Sequence, residues 1–388
     1  MSFKRFNLSE PILKALHEKG YHQPTPVQKE AIPQIISRKD IIGSAQTGTG
    51  KTAAFCIPIL QLLQQGRRRR GIKALILTPT RELAAQVCDN LNFYGKYLPL
   101  RNTQIFGGVS QNAQVQQIRQ GVDILVATPG RLLDLMGQGI INLKSLEILV
   151  LDEADRMLDM GFIHDIKKVI AASPAKRQDI FFSATMPKGV QKLVMSIMRN
   201  PVKVHVEGTS DAKADIHQFV YHVEKRSKHA LLKHIISEKE MKNVLVFSRT
   251  KHGANRIAKN LNRSGIKAEA IHGDKSQHAR QRALHNFKMN STRVLVATDI
   301  AARGIDINNL PYVINFELPE TPETYTHRIG RTGRAGATGS AFSLCDVSER
   351  GYLKRINRRT SRKLATVEHP FCQRITADKQ LPVQKSNR

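Results

Sequence analysis

The chain has 388 residues, enough for two domains, and its 40% hydrophobic and 24% charged content is that of a globular protein rather than a disordered or fibrous one. Sixty-one Lys and Arg against thirty-two Asp and Glu leave a net charge of +29, an excess that points to a polyanionic partner, most often nucleic acid. Cys56, Cys88, Cys345 and Cys372 form no C-x-x-C pair, which argues against a disulfide framework or a zinc site. The N-terminus lacks the apolar core of a secretory signal, and no apolar run approaches the roughly 20 residues that span a bilayer. The expectation is a soluble cytoplasmic protein with no membrane partner.

In chain order, strand-like apolar runs occur at DIIGSA (40–45), KALILT (73–78), DILVAT (123–128), LEILVLD (146–152) and DIFFSAT (179–185). A second series follows at NVLVFS (243–248), KAEAIH (267–272), TRVLVAT (292–298) and YVINF (312–316). Amphipathic stretches such as RELAAQVCDNLNFYG and ANRIAKNLNRSG lie between them. Continuous apolar strands separated by helices predict parallel sheets covered on both faces, joined by right-handed crossovers. The polar stretch 206–218 divides the two series. This gives an α/β fold with an N-terminal domain at 1–206, a linker at 207–215 and a second domain at 216–350. The segment RRRR (67–70) reads as a solvated loop, SERGYLKRINRRTSRK as a basic helix, and the chain from about 370 as a tail.

AQTGTGKT (45–52) follows a strand and precedes the apolar helix AAFCIPILQLL, the context a phosphate-binding loop requires. Its glycines let backbone N–H groups approach phosphate oxygens, Lys51 reaches the terminal phosphates, and Thr52 offers a hydroxyl to Mg²⁺. Ala45 stands where the usual first glycine would, which is tolerable if its φ is negative. LEILVLDEADRML supplies acids at a strand's carboxyl edge, Asp152 for the metal shell and Glu153 to polarise the attacking water.

Together DEAD (152–155), AQTGTGKT, SAT (183–185) and HRIGRTGR (327–334) resemble the DEAD-box RNA helicases. PTRELAAQ (79–86), TPGR (128–131), HGDKSQHAR (272–280) and VATDIAARGID (296–307) extend the similarity, in the same order, over about residues 3–350. Within the family the chain is most similar to the bacterial RhlE-type branch. The resemblance implies two tandem RecA-like domains, with ATP and RNA bound across the cleft between them. GYHQPTPVQ (20–28) looks like the family's Q motif, with Phe6 as its preceding aromatic and Tyr21 within it. The Gln28 amide has a donor and an acceptor that match adenine. The resemblance also puts Ala45, Gln46, Thr47, Gly48, Thr49 and Gly50 around the nucleotide phosphates and Asp306 at the ribose.

Carried over from the family, RNA contacts fall on Pro79, Thr80, Arg81, Gly107, Gly108, Thr128 and Arg131, then on Gln277, Arg280 and Thr298. These are small residues, hydroxyls and cations suited to a sugar–phosphate backbone, so little sequence preference is expected. Asp155, Ser183, Thr185 and His327 are implied to connect nucleotide state with RNA binding. Arg331 and Arg334 are implied arginine fingers, while Arg328 stays open between pairing across the domains and a phosphate contact. The expected function is an ATP-dependent RNA helicase that melts short duplexes, acting in ribonucleoprotein remodelling with ribosomal or RNA-decay proteins. The alternatives are an RNA-dependent ATPase clamp and a non-catalytic RNA-binding protein.

Overall fold

The computed structural model describes residues 2–45, 49–66, 71–198, 200–205, 216–302, 307, 310–333, 338–359 and 364–371. The expected linker at 207–215 and the RRRR segment lie outside these residues. Described residues up to 205 form one compact unit and those from 216 onward a second.

The first unit opens with helices α1 (Glu10–Glu18) and α2 (Pro26–Ile36), then strand β1 (Ile41–Ser44) and helix α3 (Lys51–Gln65). Strands and helices then alternate: β2 (Ala74–Leu77), α4 (Arg81–Tyr94), β3 (Asn102–Ile105), α5 (Asn112–Arg119), β4 (Ile124–Ala127) and α6 (Pro129–Gly137). They are followed by β5 (Ile148–Leu151), α7 (Ala154–Asp159), α8 (Ile163–Ala171), β6 (Gln178–Ser183), α9 (Lys188–Ile197) and β7 (Val202–His205). All seven strands are parallel, in the order β3-β4-β2-β5-β6-β1-β7. Successive strand residues point to opposite faces. Thus Ala74 and Ile76 join the core under α2, α3 and α4, while Leu75 and Leu77 join the core under α6 to α9.

The second unit repeats the plan. It runs β8 (Ile216–His222), α10 (Lys228–Glu238), β9 (Val244–Phe247), α11 (Lys251–Arg263), β10 (Ala268–Ile271), α12 (Gln277–Lys288), β11 (Val294–Ala297) and α13 (Asp299–Ala302). It closes with β12 (Tyr312–Asn315), α14 (Pro322–Ile329), β13 (Gly339–Cys345), α15 (Arg350–Arg359) and β14 (Ala365–Thr366). Its strand order, β10-β11-β9-β12-β13-β8-β14, is the first unit's order shifted by seven strands. The chain is therefore two tandem RecA-like α/β units, each a parallel sheet with helices on both faces.

The nine apolar runs named from the sequence all form strands. Five further strands carry weaker patterns. β3 (NTQI), β7 (VKVH) and β14 lie at sheet edges, where polar side chains are tolerated. β8 begins at Ile216, inside the stretch read as polar, and β13 (GSAFSLC) is rich in small residues. The second unit does not stop at 350. Helix α15 buries Leu353 and Ile356, β14 pairs with β8, and Val367 and Phe371 pack on the core. Residues 372–388 lie outside the described part.

Candidate functional site

Parallel sheets gather functional loops at the carboxyl ends of their strands. In the first unit the segment after β1 leads through Ala45, Thr49 and Gly50 into α3; Gln46, Thr47 and Gly48 lie outside the described residues. Ala45 keeps a negative φ, so the missing glycine costs nothing there. Gly50 is the N-cap of α3 at φ +91°, and a Cβ on it would sit 2.5 Å from Gln28 Nε2. Lys51, the first residue of α3, is buried and donates from Nζ to the Ala45 carbonyl at 2.8 Å, across the mouth of the loop.

Gln28 sits three residues past Thr25, the N-cap of α2. Its Oε1 accepts from the Thr25 N–H at 3.0 Å, and its Nε2 donates to the Gly50 carbonyl at 3.1 Å. Both ends of the amide thus bind α2 to the phosphate loop. Phe6 and Tyr21 flank the same helices, each against Phe3, with ring centroids 6.0 Å and 6.4 Å away.

β5 ends at Asp152 and Glu153. Both are buried, and Glu153 adopts the left-handed conformation (φ +52°, ψ 49°), an uncommon one for a residue with a side chain. That turn puts its carboxylate 2.5 Å from Arg156 Nη1. Arg156 went unassigned in the sequence, although its i,i+3 spacing from Glu153 was a usable sign. Burial pushes the Asp152 carboxyl up, against the pull of Lys51, and Glu153 adds to the rise. Asp152 Oδ1 is buried with no hydrogen-bond partner among the described residues. An anionic oxygen without a donor suits a hard divalent cation, so the residues fit Mg²⁺.

Asp155 connects β5 to β6. Its Oδ2 accepts from the Thr185 N–H at 2.9 Å and from Thr185 Oγ1 at 2.8 Å. Its own N–H donates to Ser183 Oγ at 3.2 Å, and that hydroxyl donates to the Thr185 carbonyl at 2.7 Å. Asp155, Ser183 and Thr185 are thus one closed network.

Pro79, Thr80 and Arg81 follow β2, Gly107 and Gly108 follow β3, and Thr128 and Arg131 follow β4. These three strands are neighbours in the order β3-β4-β2. Thr80 caps α4 through Leu83 N–H at 3.3 Å, and Thr128 is the N-cap of α6. Gly108 lies at φ +75°, and a Cβ there would overlap the Arg81 guanidinium. Arg131 donates from Nη2 to the Val109 carbonyl at 3.2 Å, while its Nη1 is buried with no partner among the described residues. Two guanidiniums and two helix N-termini thus converge on a Gly-Gly turn, an arrangement suited to phosphate.

The second unit presents its own carboxyl edge. Gln277 and Arg280 are buried on the first turn of α12, after β10, and Thr298 follows β11. His327 is half-buried on α14. Arg331 is buried in the turn beyond α14, where its carbonyl accepts from Leu310 N–H at 3.1 Å and Thr332 bridges to Leu310. Arg334 and Asp306 lie outside the described residues.

Arg328 resolves differently from both readings left open for it. It is 1% exposed, and it clamps Asp299 with two bonds, Nε to Oδ1 at 2.6 Å and Nη2 to Oδ2 at 2.8 Å. Nη1 donates to Asn315 Oδ1 and the Glu317 carbonyl, and the guanidinium lies 5.0 Å from the Phe247 ring centre. With four of its five N–H donors engaged within one unit, it is a structural arginine. Nothing in the spacing of residues 29 positions apart announces such a pair.

The repeated strand order exposes a contrast. Lys228 opens α10 after β8, as Lys51 opens α3 after β1. No glycine-rich loop precedes it, and its Nζ is taken by Glu349 at 2.5 Å, Asp346 at 3.1 Å and the Phe316 carbonyl at 3.1 Å. The adjoining cavity of about 1110 Å³, lined by Lys228, Arg249, Phe316 and Glu317 among others, holds no phosphate loop. Lys228 is thus committed to carboxylates within its own unit, whereas Lys51 faces the loop that precedes it.

A sheet with a phosphate loop and paired acids, followed by a second sheet of the same topology without them, defines a helicase-type nucleoside triphosphatase. Residues 25–193 match the DEAD/DEAH box helicase family and residues 227–336 the helicase conserved C-terminal domain. The DEAD-box ATP-dependent RNA helicase CshA of Bacillus cereus is 40% identical over 369 residues, covering 95% of this chain and 70% of the relative. CshA of Geobacillus kaustophilus is 40% identical over 389 residues, 98% of this chain and 83% of the relative. The structure of S. cerevisiae Dbp5 bound to RNA and ADP BeF3 is 30% identical, covers 94% of this chain and 95% of that one, and gives a TM-score of 0.83. A DEAD box protein from the hyperthermophile Methanococcus jannaschii is 39% identical over 95% of this chain, with a TM-score of 0.53. The chain belongs to the DEAD-box ATP-dependent RNA helicases. The relatives named here are CshA proteins, so the finer RhlE-type placement rests on motifs alone. Among the described residues no helix is long and apolar enough to cross a membrane.

Proposed function

We propose that the protein is an RNA-stimulated ATPase that couples ATP hydrolysis to RNA binding and to local opening of short duplexes. The observation that carries this reading is the buried cluster of Lys51, Asp152 and Glu153, joined through Asp155 to Thr185. Gln28 reads adenine beside Phe6 and Tyr21. The segment Ala45, Gln46, Thr47, Gly48, Thr49 and Gly50 cradles the phosphates, with Asp306 at the ribose. Lys51 exchanges the Ala45 carbonyl for the terminal phosphates. Thr52 and Asp152 would hold Mg²⁺, which supplies charge neutralisation at the phosphates when bound. Glu153 accepts a proton from the attacking water, and Arg331 and Arg334 balance charge on the transferring phosphoryl group.

RNA is held by its backbone. Pro79, Thr80, Arg81, Gly107, Gly108, Thr128 and Arg131 act for the first unit, and Gln277, Arg280 and Thr298 for the second. Asp155, Ser183, Thr185 and His327 relay between nucleotide and RNA. A cytoplasmic place among ribosomal or RNA-decay proteins goes with this reading. Strand displacement from a short RNA duplex, followed with ATP and with a non-hydrolysable analogue, is the test. ATP-dependent displacement supports unwinding. RNA-stimulated hydrolysis with no displacement shifts the function to a clamp.

A further inference from the structure

Helix α15 carries Arg350, Lys354, Arg355, Arg358 and Arg359, all exposed, and no acidic residue. At 100° per residue the five cations occupy one half of its circumference, opposite the buried Leu353 and Ile356. Arg350–Lys354, Lys354–Arg358 and Arg355–Arg359 are like-charged i,i+4 pairs, each of which opposes the helix. Arg350 also stands at the N-terminal end, where a cation opposes the helix dipole. The acids just before the helix in the sequence are committed elsewhere: Glu349 to Lys228 and Arg249, and Asp346 to Lys228 and Ser348. Only Arg358 and Arg359, in the last turn, favour the helix itself. A run of charge that works against its own element asks for an external anion.

We infer that this face of α15 is a second RNA-binding surface, one that holds phosphates of RNA extending beyond the segment gripped at the strand ends. The inference rests on the RNA-binding function proposed above. A membrane surface is a poor match, because the apolar side of α15 is already consumed by the core with Tyr325, Ile329 and Leu364. Little sequence preference is expected, since an exposed row of cations on one helix face matches a line of phosphates. The helix packs by β13 and β8, and three strand spacings, about 14 Å, separate β13 from β11, where Thr298 lies. That exceeds the Debye length of about 8 Å at physiological salt, so α15 must touch its own phosphates rather than assist at a distance. Tyr352 lies between Arg355 and Arg249, with cation-to-ring distances of 5.1 Å and 5.7 Å. Arg249 follows β9, so the cationic face continues to the sheet's carboxyl edge.

The test replaces Lys354, Arg355, Arg358 and Arg359 together by Gln in the full chain. Two RNAs are compared: a short single strand, and the same strand continued into a hairpin. The variant is expected to bind the short strand, and to be stimulated by it, as wild type does. Binding of the hairpin-extended RNA should weaken roughly tenfold or more at low salt, with a log–log salt slope shallower by about 2 or more. Its melting temperature should be unchanged or higher, because the like-charge pairs are gone. Equal affinity of wild type and variant for the extended RNA overturns the surface, as does an equal loss on both RNAs. A lower melting temperature with unchanged extended-RNA binding assigns the cations to structure instead and likewise overturns it. Wild type that binds the short strand but gains nothing from the hairpin overturns the α15 surface alone, and wild type that binds neither overturns the RNA function as well.

Discussion

Thr185 gives both its backbone N–H and its hydroxyl to one oxygen of Asp155, at 2.9 Å and 2.8 Å. Two donors on a single carboxylate oxygen lock the end of β6 to the first turn of α7, two residues beyond Glu153. Thr185→Val keeps the N–H bond and deletes the hydroxyl. It should leave nucleotide affinity unchanged and lower RNA-stimulated turnover severalfold, by about 1–2 kcal/mol in activation terms. Asp155→Asn should cost more, and the double variant should cost less than the two separately. Additive losses would show that the two residues act independently.

Lys51 and Lys228 begin equivalent helices, yet they should fail in opposite ways. Lys51→Met removes a cation that donates to the Ala45 carbonyl and acts on the Asp152 carboxyl through charge alone, so ATP binding should collapse while melting changes little. Lys228→Met leaves Asp346 buried without its counter-ion and Glu349 with Arg249 alone, a loss on the order of 3–5 kcal/mol. The second unit should then melt early, with ATP affinity of the first unit intact. Nucleotide titration and thermal melting of both variants decide it, and a Lys228→Met protein of wild-type stability would refute the structural role.

Asp179 provides a pH test. It is buried at the start of β6, bonded to Arg177 at 2.8 Å. Burial raises its carboxyl from 3.8 to about 6, with Arg177 pulling down and Asp40 pushing up. Because the folded value lies above the unfolded one, the native protein binds a proton that the unfolded chain has released between about pH 4 and 6. The contribution is therefore fully present at low pH and lost as pH rises through 6, an amount on the order of 2–3 kcal/mol. In urea unfolding, the stability of wild type relative to Asp179→Asn should decline from pH 4.5 to 7. A flat difference, or one that grows with pH, contradicts the assignment.

The candidate site was legible as motifs wherever its residues are consecutive. The phosphate loop, the acids at Asp152 and Glu153, and the Thr80, Gly107–Gly108 and Thr128 segments all sit at strand ends. A continuous apolar strand that closes in a polar cluster marks such an end without any alignment. What stayed hidden depends on distant partners. Arg328 read as a phosphate or interdomain group because nothing local shows that Asp299 receives it. Lys228 was invisible because its carboxylates follow more than a hundred residues later. The edge strands β3 and β7 were missed for a related reason: with one side unpaired, their polar alternation resembles a loop.

The most direct test is steady-state ATP hydrolysis by the purified full chain in Mg²⁺, with and without unstructured RNA, beside Glu153→Gln. RNA should raise wild-type turnover by roughly tenfold or more, and Glu153→Gln should lower it by about 10²-fold or more. The variant should still bind ATP and RNA, since the substitution keeps size and removes only the proton acceptor. Wild-type turnover that RNA leaves unchanged, or a Glu153→Gln protein that hydrolyses ATP as fast as wild type, would contradict catalysis at this site.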